Sequence, residues 1–234
     1  MTMQAVILAA GKGTRMQPLT YDIPKAMLPI KGKPVLEYTL DFLPEEIDEV
    51  IIVINHLGDQ IKNYFGDEWK GRKIKYITQE TLNGTGGAVR ICKDLVKGKF
   101  MVVMGDDLYY KNDLKKLLDY DLAILACEVE DSARFGILET NESGDLIEII
   151  EAPHAEGRAL TSTNAFILNE KFFDCELVPK KIGDIEFGLP QMLAKMAKEY
   201  PVKILRSTRW FPIGFPEDLT KAEEVIDKFI YPVK

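Results

Sequence analysis

The amino-acid sequence predicts an α/β fold in which a mixed, mostly parallel central sheet lies between helices. Strand and helix patterns alternate through the first half of the 234 residues, which is typical of a doubly wound parallel sheet. Several of these strands are apolar on both faces, as strands covered by helices on both sides are. In the second half, strands follow one another through turns, which predicts that the sheet is mixed.

The first half contains alternating strand and helix patterns. Pro34 stands in the first turn of the first helix, where its missing N–H group is not needed. The run Glu-Val-Ile-Ile-Val-Ile at 49–54 is apolar on both faces and is typical of a buried strand. The predicted strands are 4–8, 49–54, 73–77, 100–104 and 122–127, and the predicted helices are 34–43, 59–65, 88–96 and 112–118.

The second half is richer in strands, which are joined by turns such as Asn-Glu-Ser-Gly at 141–144. No internal repeat, low-complexity segment or linker divides the chain, so we predict a single domain over residues 1–234. The predicted strands are 136–139, 146–150, 164–168 and 202–205, and the predicted helices are 185–198 and 217–229.

Composition and charge disfavour several classes of protein. Apolar residues make up 46% of the chain and charged residues 29%, an ordinary globular balance. The formal net charge of −7 would repel a nucleic-acid backbone, which disfavours a nucleic-acid-binding protein. No run approaches the ~20 apolar residues of a membrane span. The 3 cysteines fit no metal or redox spacing and indicate a cytoplasmic protein with reduced thiols.

The most informative stretch follows the first strand and reads Leu-Ala-Ala-Gly-Lys-Gly-Thr-Arg-Met at 8–16. Glycines let the backbone approach a ligand and turn successive N–H groups toward an anion. Arg15 and Lys25 add full positive charges. A dinucleotide-binding fingerprint needs a third glycine where this chain has Met16, and a Walker A loop needs Ser or Thr where it has Gly13. The stretch therefore predicts a phosphate-binding loop and disfavours a Rossmann-type dehydrogenase.

This stretch resembles the opening motif of the sugar-1-phosphate nucleotidyltransferases, also called nucleotide-sugar pyrophosphorylases. The family pattern is Leu-Ala-Gly/Ala-Gly-x-Gly-Thr-Arg-Leu/Met, then Pro-Leu-Thr, Pro-Lys, Leu-Pro and Lys-Pro, and this chain supplies each part in order. The resemblance implies a Rossmann-like, three-layer nucleotidyltransferase fold, in a short form without a C-terminal hexapeptide-repeat domain. It also divides the domain into a nucleotide-binding half, 1–127, and a sugar-binding half, 128–234.

The resemblance implies an enzyme in which a sugar-1-phosphate oxygen attacks the α-phosphorus of a nucleoside triphosphate and pyrophosphate leaves. Such a reaction depends on positioning and charge neutralisation more than on covalent help. By the resemblance, Arg15 stabilises the departing pyrophosphate and Lys25 bridges the α-phosphate and the sugar phosphate. The loop would hold the nucleotide's phosphates, which assigns nucleotide binding to Leu8, Ala10, Gly11, Gly13, Thr14 and Arg15.

A second match to the family begins at Gln79, in Gln-Glu-Thr-Leu-Asn-Gly-Thr-Gly. By the resemblance, Gln79 pairs with the nucleobase, and Gly84 and Thr85 pack beside it. A glutamine amide presents a donor and an acceptor side by side, which matches the O4 and N3–H edge of uracil or thymine. We therefore expect UTP or dTTP as the nucleotide, with a modest preference over a purine nucleotide.

Asp106 follows a buried strand at the carboxyl edge of the predicted sheet, where open α/β sheets place ligands. The resemblance makes Asp106 the protein ligand of Mg²⁺, which prefers one or two carboxylates together with substrate phosphates. Asp107 is expected on the opposite side, because successive strand residues alternate. Arg15, Lys25 and Asp106 are thus the predicted catalytic residues.

The resemblance continues into the sugar-binding half, where Gly136, Glu151 and Asn164 are the predicted sugar-binding residues. Asn164 stands where the family usually has a glycine. Ala152 stands where the family has a lysine that contacts the sugar phosphate. Pro212, in Trp-Phe-Pro-Ile-Gly, replaces the aspartate that is the family's second metal ligand, and proline has no carboxylate.

These departures leave two interpretations open. In the first, the protein is an active enzyme in which a carboxylate such as Asp184 or Asp218 compensates for Pro212. In the second, it is a catalytically impaired homologue that senses nucleotide sugars or serves as a regulatory subunit. The expected partners are a nucleoside triphosphate and a sugar-1-phosphate, with no nucleic acid and no membrane, and a homo-oligomer is left open.

Overall fold

The computed structural model describes residues 3–151, 157–181 and 183–231, and a sheet of 10 strands runs through its centre. The strands are β1 (Met3–Leu8), β2 (Pro29–Ile30), β3 (Lys33–Pro34), β4 (Ile47–Ile54), β5 (Glu68–Trp69), β6 (Arg72–Thr78), β7 (Phe100–Met104), β8 (Asp107–Tyr109), β9 (Ala123–Val129), β10 (Ile137–Thr140), β11 (Leu146–Ile150), β12 (Ala159–Leu168), β13 (Lys203–Arg206) and β14 (Trp210–Pro212). The α-helices are α1 (Val35–Phe42), α2 (Gly58–Phe65), α3 (Gly84–Arg90), α4 (Lys111–Leu117), α5 (Leu189–Met196), α6 (Pro216–Val225) and α7 (Asp227–Ile230).

The central sheet has the strand order β11–β10–β12–β7–β1–β4–β6–β5, and β9 joins it beside β12, with β13 beyond β9. The strands β7, β1, β4 and β6 pair in parallel, as the alternation of strands and helices predicts. Only β5, β11 and β12 among these strands run against the others. The α/β fold with a mixed, mostly parallel sheet that the sequence predicts is therefore confirmed.

Helices cover both faces of the sheet, so the core has two halves. Along β1, Val6 and Leu8 face the cluster that buries α3 and α5, whereas Ala5 and Ile7 face the cluster that buries α1, α2 and α4. This alternation is the side-chain period of a strand. The inner strands β1, β4 and β7 therefore need apolar residues at nearly every position, which is why their apolar sequence runs are continuous.

A third apolar cluster closes one end of the molecule. It joins the segment after the opening loop to α6, and Met16, Leu28, Leu108 and Ile213 all belong to it. Three of these residues, Met16, Leu108 and Ile213, come from segments that are far apart in the chain, yet each is directly preceded by a residue that lines the cavity of the candidate site. This cluster therefore fixes the loop, the end of β7 and the start of α6 relative to one another.

Several predicted elements have different bounds in the structure. The helix predicted at 185–198 begins only at α5, because Gly188 donates its N–H group to Val178 and Ile185 is 81% exposed. The helix predicted at 88–96 is α3, which begins and ends earlier. The predicted helix 217–229 is divided into α6 and α7. The two short ribbons β2–β3 and β8–β14 were not predicted.

Candidate active site

A cavity of ≈ 380 Å³ opens where β7 ends. Residues of both halves of the chain line it, and they include many of the residues that the sequence singles out. The predicted site residues in its wall are Arg15, Lys25, Gly84, Thr85, Asp106, Gly136, Glu151 and Asn164. The structure therefore brings the predicted catalytic residues together with the predicted sugar-binding residues.

The other predicted nucleotide-binding residues lie outside this wall. The side chains of Leu8 and Ala10 are buried in the apolar core, so only their backbone groups could contact a nucleotide. Gly11 and Thr14 are exposed on the opening loop, and Gly13 is half-buried. These positions are explained by the path of the loop, which leaves the sheet after β1.

The opening loop is anchored to the sheet at its start, where Ala9 donates its N–H group to Val53. Gly13 has φ +62°, and a Cβ atom there would lie 3.0 Å from side-chain atoms of both Lys25 and Thr20. The Thr20 hydroxyl donates to the Gly13 carbonyl oxygen at 2.8 Å. A Cβ at Gly11, by contrast, would meet no described atom within 4 Å. The folded chain thus requires a glycine at position 13 and not at position 11.

Lys25 and Asp106 form the charged centre of the cavity. The Lys25 Nζ atom donates to Asp106 Oδ2, and both side chains are largely buried. Asp106 reaches this place because β7 ends at Met104 and the chain then turns, with Gly105 donating its N–H group to Leu8. The pair places one cation and one anion side by side in the wall, where a phosphate and a metal ion would each find an opposite charge.

Asp107 lies in the same wall, contrary to the expectation that it faces away. The alternation of a strand does not apply, because the chain turns at residues 105–106 before β8 begins. Asp107 accepts hydrogen bonds from Trp210 Nε1 at 3.1 Å and from the Ile213 N–H group at 3.3 Å. Burial, with the adjacent negative charge of Asp106, raises the pKa of Asp107 to about 7, although Lys25 and both hydrogen bonds oppose this.

The position of Pro212 agrees with its place in the family motif. Strand β14 pairs antiparallel with β8, and Pro212 lies directly opposite Asp107 in this ribbon. Asp218 also lines the cavity, where its Oδ2 atom accepts the N–H groups of Gly214 and Phe215 at 2.9 Å. Asp184 is exposed and is not in the wall. Of the two carboxylates considered as substitutes for the missing aspartate, only Asp218 is therefore near the site.

The carboxylates at the cavity offer the oxygen donors that Mg²⁺ prefers. Among the residues that the structure describes, no three His, Cys, Asp or Glu side chains form a metal-binding cluster. Mg²⁺ does not require one, because it keeps several waters and binds one or two carboxylates with substrate phosphates. Asp106 and Asp107 place two carboxylates at one cavity, and their mutual repulsion would be relieved by a cation. The residues present thus fit Mg²⁺.

Gln79 also lies outside the wall of the cavity, next to Gly84, and is only 4% exposed. Its amide nitrogen donates to Asn83 Oδ1 at 3.0 Å and to the Gly84 carbonyl oxygen at 3.1 Å. Both amide hydrogens are thereby used within the protein. The acceptor oxygen of Gln79 remains for a ligand, so the side-by-side donor and acceptor expected from the sequence are reduced to an acceptor.

Gly84 and Thr85 have structural roles at the junction of α3 and α5. Gly84 has φ +90°, and a Cβ there would lie 2.4 Å from the Phe187 carbonyl oxygen. The Thr85 hydroxyl oxygen accepts the N–H group of Leu189 at 3.0 Å. Both residues therefore fix the start of α5 against α3, in addition to lining the cavity.

At the predicted sugar end, Glu151 accepts a hydrogen bond from Gln191 Nε2 at 2.7 Å. A Cβ at Gly136 would lie 3.3 Å from Glu151 Oε1, so the glycine makes room for the carboxylate. Asn164 has φ +56°, a backbone conformation that asparagine adopts more readily than most residues other than glycine. This conformation explains how asparagine can stand at a position where the family usually has glycine. Ala152 lies outside the described residues.

Sequence reasoning missed several residues of the wall. Arg134 and Lys180 bring two further cations to the cavity, and Gln191 orients Glu151. Arg134 could have been found from the sequence, because it directly precedes Phe135-Gly136, which resembles the Tyr-Gly pair that the family has near the sugar. Gln191 could not have been found in this way, because its contact with Glu151 depends on how α5 packs.

Among the described helices, none has the length and apolar character needed to cross a bilayer.

Fold and cavity together define a Rossmann-like α/β protein with a charged site at the carboxyl end of its parallel strands. The family model described as nucleotidyl transferase matches residues 4–228 of this chain. The chain therefore belongs to the nucleotidyltransferase family, and the resemblance of its opening motif is confirmed.

Individual relatives and a solved structure agree with this assignment. The bifunctional protein GlmU of Methanocaldococcus jannaschii is 32% identical over 236 residues, which cover 99% of this chain and 56% of that protein. The chain thus spans about half the length of this relative. UTP–glucose-1-phosphate uridylyltransferase AglF of Haloferax volcanii is 32% identical, with 95% of this chain and 96% of that protein covered. The crystal structure of HddC from Yersinia pseudotuberculosis has a TM-score of 0.74 at 29% identity and covers 96% of this chain and 100% of that chain.

Proposed function

We propose that the protein transfers a nucleotidyl group from a nucleoside triphosphate to a sugar-1-phosphate, releasing pyrophosphate and a nucleotide-diphosphate sugar. The observation that carries this proposal is the pairing of Lys25 with Asp106 in a cavity whose wall also holds Glu151 and Asn164. The family match supports the class of reaction. AglF is named for the same kind of transfer to glucose-1-phosphate, and it matches this chain over nearly its whole length.

In the proposed reaction, one oxygen of the sugar phosphate attacks the α-phosphorus, and the bond from that phosphorus to the bridging oxygen of pyrophosphate breaks. Lys25 lies in the wall of the cavity, where its ammonium group would neutralise both reacting phosphates. Arg15 would stabilise the charge that develops on pyrophosphate. No general base is needed, because a sugar phosphate already carries the attacking oxyanion. The enzyme's contribution is therefore alignment and charge neutralisation.

We assign the binding of Mg²⁺ to Asp106, with Asp107 beside it. Bound there, the ion would neutralise negative charge on the triphosphate. Pro212 offers no oxygen from its side chain, so substrate phosphates and water would complete the coordination. Asp218 is already occupied on one oxygen by two backbone N–H groups, which leaves its other oxygen for a water-mediated contact.

For the nucleobase, we propose that Gln79 accepts an N–H group of the base. The N3–H group of uracil or thymine fits this acceptor, so UTP or dTTP remains the proposed nucleotide. Guanine also has an N–H group on its pairing edge, and one relative, from Campylobacter jejuni, is named as a guanylyltransferase. Pyrophosphate release measured with each nucleoside triphosphate would therefore distinguish UTP or dTTP from a guanine nucleotide.

We place the reaction in the cytoplasm, since Cys92, Cys127 and Cys175 are all free thiols. The proposed partners are the two substrates. Nucleic acid is disfavoured as a partner by the net charge of −7. Size-exclusion chromatography with light scattering would determine whether the protein forms a homo-oligomer.

The decisive experiment measures pyrophosphate release over a grid of nucleoside triphosphates and sugar-1-phosphates in the presence of Mg²⁺. We expect release with at least one pair, and UTP or dTTP to be the better nucleotide. Absence of release with every pair, together with tight binding of a nucleotide sugar, would instead support a sensor or regulatory subunit. The Lys25→Ala variant serves as the control for contaminating activity.

A further inference from the structure

The ring of Phe215 contacts two arginine side chains at the cavity. The Cζ atom of Arg15 lies 5.2 Å from the ring centroid, and the Cζ atom of Arg134 lies 5.1 Å from it. Both distances are within the range of a cation–π interaction. All three residues line the cavity, although Arg15 and Arg134 are 119 positions apart in the sequence. One aromatic ring therefore gathers two positive charges at one place.

These two arginines differ from the other arginines of the chain. Within the ranges that the structure describes, each of the others has a carboxylate or backbone carbonyl partner: Arg72, Arg90, Arg158, Arg206 and Arg209. Among the described residues, Arg15 and Arg134 have no hydrogen bond or ion pair. Their guanidinium groups instead make cation–π contacts with aromatic rings. Their guanidinium donors are therefore unused, at a place where two like charges repel.

The place of Phe215 in the fold gives no other reason for an aromatic residue. Phe215 is the residue before α6, where Ser, Thr, Asp and Asn are preferred because their side chains cap the helix. A phenylalanine cannot do this. Asp218 instead accepts the N–H groups of Gly214 and Phe215, so the side chain that stabilises this end of the helix is that of Asp218 and not that of Phe215. The Phe215 ring instead contacts the guanidinium groups of Arg15 and Arg134.

We infer that Arg15 and Arg134 together bind one phosphoryl anion, and that Phe215 is the positioning residue that holds both guanidinium groups toward it. Two planar guanidinium groups present fixed forks of donors, which match the oxygens of a phosphoryl group. The anion offsets the repulsion between the two cations. This inference rests on the proposed function, under which the anion is either the phosphate of the sugar-1-phosphate or the departing pyrophosphate.

The first test is kinetic and uses Arg134→Ala, Arg134→Lys, Phe215→Leu and Phe215→Tyr in the full chain. We expect Arg134→Ala to raise the KM of one phosphate substrate by about 10- to 100-fold, as loss of a charge-assisted hydrogen bond does. Arg134→Lys should recover only part of this, because lysine lacks the planar fork. Phe215→Tyr keeps an aromatic face and should retain the wild-type KM, whereas Phe215→Leu should raise it several-fold.

The matched control for the ring is Tyr110→Leu. Arg209 lies over the Tyr110 ring at 4.3 Å, outside the cavity, so this variant removes a comparable contact without touching the site. Its KM values should equal those of the wild type. Equal KM values in Phe215→Leu and Tyr110→Leu, with Arg134→Ala unaffected, would overturn the inference.

Two kinetic measurements show whether the bound anion is the phosphate of the sugar-1-phosphate or the departing pyrophosphate. A raised KM for sugar-1-phosphate in the forward direction assigns the pair to the attacking phosphate. A raised KM for pyrophosphate in the reverse direction assigns it to the leaving group. Either result supports the inference, and no change in either KM contradicts it.

A binding experiment separates this inference from the proposed function. Isothermal titration calorimetry with inorganic pyrophosphate requires no turnover. If no nucleotide and sugar phosphate pair reacts, but pyrophosphate binds the wild type and Tyr110→Leu more tightly than Arg134→Ala, then the proposed function fails and the paired site stands. If the enzyme is active and pyrophosphate and sugar-1-phosphate bind all variants equally, the inference fails alone. Because Arg134 is exposed, its variants keep the test usable even where Phe215→Leu does not fold.

Discussion

Lys25 and Asp106 are 81 positions apart in the sequence, yet they form an ion pair in the wall of the cavity. Each comes from a segment whose place is fixed by packing: Lys25 from the turn after the opening loop and Asp106 from the end of β7. The family motif predicts both residues of this pair, because it specifies which residue type stands at each position. The motif says nothing about their contact, which depends on the parallel neighbours β1 and β7.

Removal of the Lys25 ammonium group should abolish most activity. We expect Lys25→Ala to lower kcat on the order of 10²- to 10³-fold, as loss of a charge contact in the transition state does. Steady-state pyrophosphate release measures it. Lys111→Ala, which breaks a surface ion pair with Glu45, should leave kcat unchanged. A wild-type kcat in Lys25→Ala would remove this residue from the mechanism.

Asp107 should make stability depend on pH. Its folded pKa of about 7 lies above the ordinary value near 3.9, so ionisation costs free energy in the folded state only. The cost is absent below pH ~4, grows between pH ~4 and ~7, and is fully present above. In metal-free buffer, Asp107→Asn should therefore gain stability over the wild type between pH 4 and pH 8, on the order of 3 kcal/mol.

Urea unfolding at the two pH values measures this gain. Asp48→Asn removes an exposed carboxylate and should show no such pH-dependent gain. Added Mg²⁺ should reduce the difference, because a nearby cation favours ionised Asp107. An equal difference between Asp107→Asn and the wild type at pH 4 and pH 8 would show that Asp107 ionises normally in the folded protein.

Among the elements, the opening loop contains two glycines with different reasons for being there. Gly13→Ala should cost about 1–2 kcal/mol of stability, because φ is positive and the added Cβ crowds Lys25 and Thr20. Gly11→Ala should leave stability within about 0.5 kcal/mol. If a nucleotide phosphate approaches Gly11, the same variant should raise the KM for the nucleoside triphosphate by about tenfold. Thermal unfolding and kinetics on both variants check this, and an unchanged KM in Gly11→Ala would argue against close approach there.

The β8–β14 ribbon offers a way to test the metal site, because it sets Pro212 opposite Asp107. Pro212→Asp should lower the Mg²⁺ concentration for half-maximal activity by about tenfold, since it adds an oxygen ligand. It should also make the melting temperature rise more with Mg²⁺ than in the wild type. Pro212→Ala controls for loss of the proline ring. Identical metal titrations for the two variants would mean that position 212 does not reach the ion.

Strands of four or more residues could be predicted at least in part from the sequence, whereas strands of two or three residues could not. The strands predicted at 100–104 and 146–150 agree with β7 and β11 residue for residue, because apolar runs of this length have few alternatives. Strands β8 and β14 have three residues each, too few for a period, and their pairing joins segments about 100 residues apart. The predicted position of Asp107 was wrong because the chain turns at residues 105–106, between β7 and the short strand β8.

For the whole molecule, β12 unites the two halves. It pairs with β7 of the first half and with β9 and β10. We therefore expect residues 1–234 to unfold as one domain. The 2 tryptophans test this, because Trp69 lies in the first half and Trp210 in the second. In Trp69→Phe and in Trp210→Phe, the remaining tryptophan's fluorescence should change at the same urea concentration as far-UV circular dichroism. A fluorescence midpoint that differs from the circular dichroism midpoint would indicate two domains.

The pairing of β7 with β12 also has a consequence during synthesis on the ribosome. Val102 of β7 lies opposite Phe166 of β12, so its partner is made about 60 residues later, a delay of several seconds at roughly 5–20 residues per second. Until then, β7 is a wholly apolar edge strand, paired with β1 on one side and without a partner on the side that later pairs with β12, and such an edge invites aggregation. Newly made chains would thus depend most on chaperones in this interval, before the sugar end of the cavity exists.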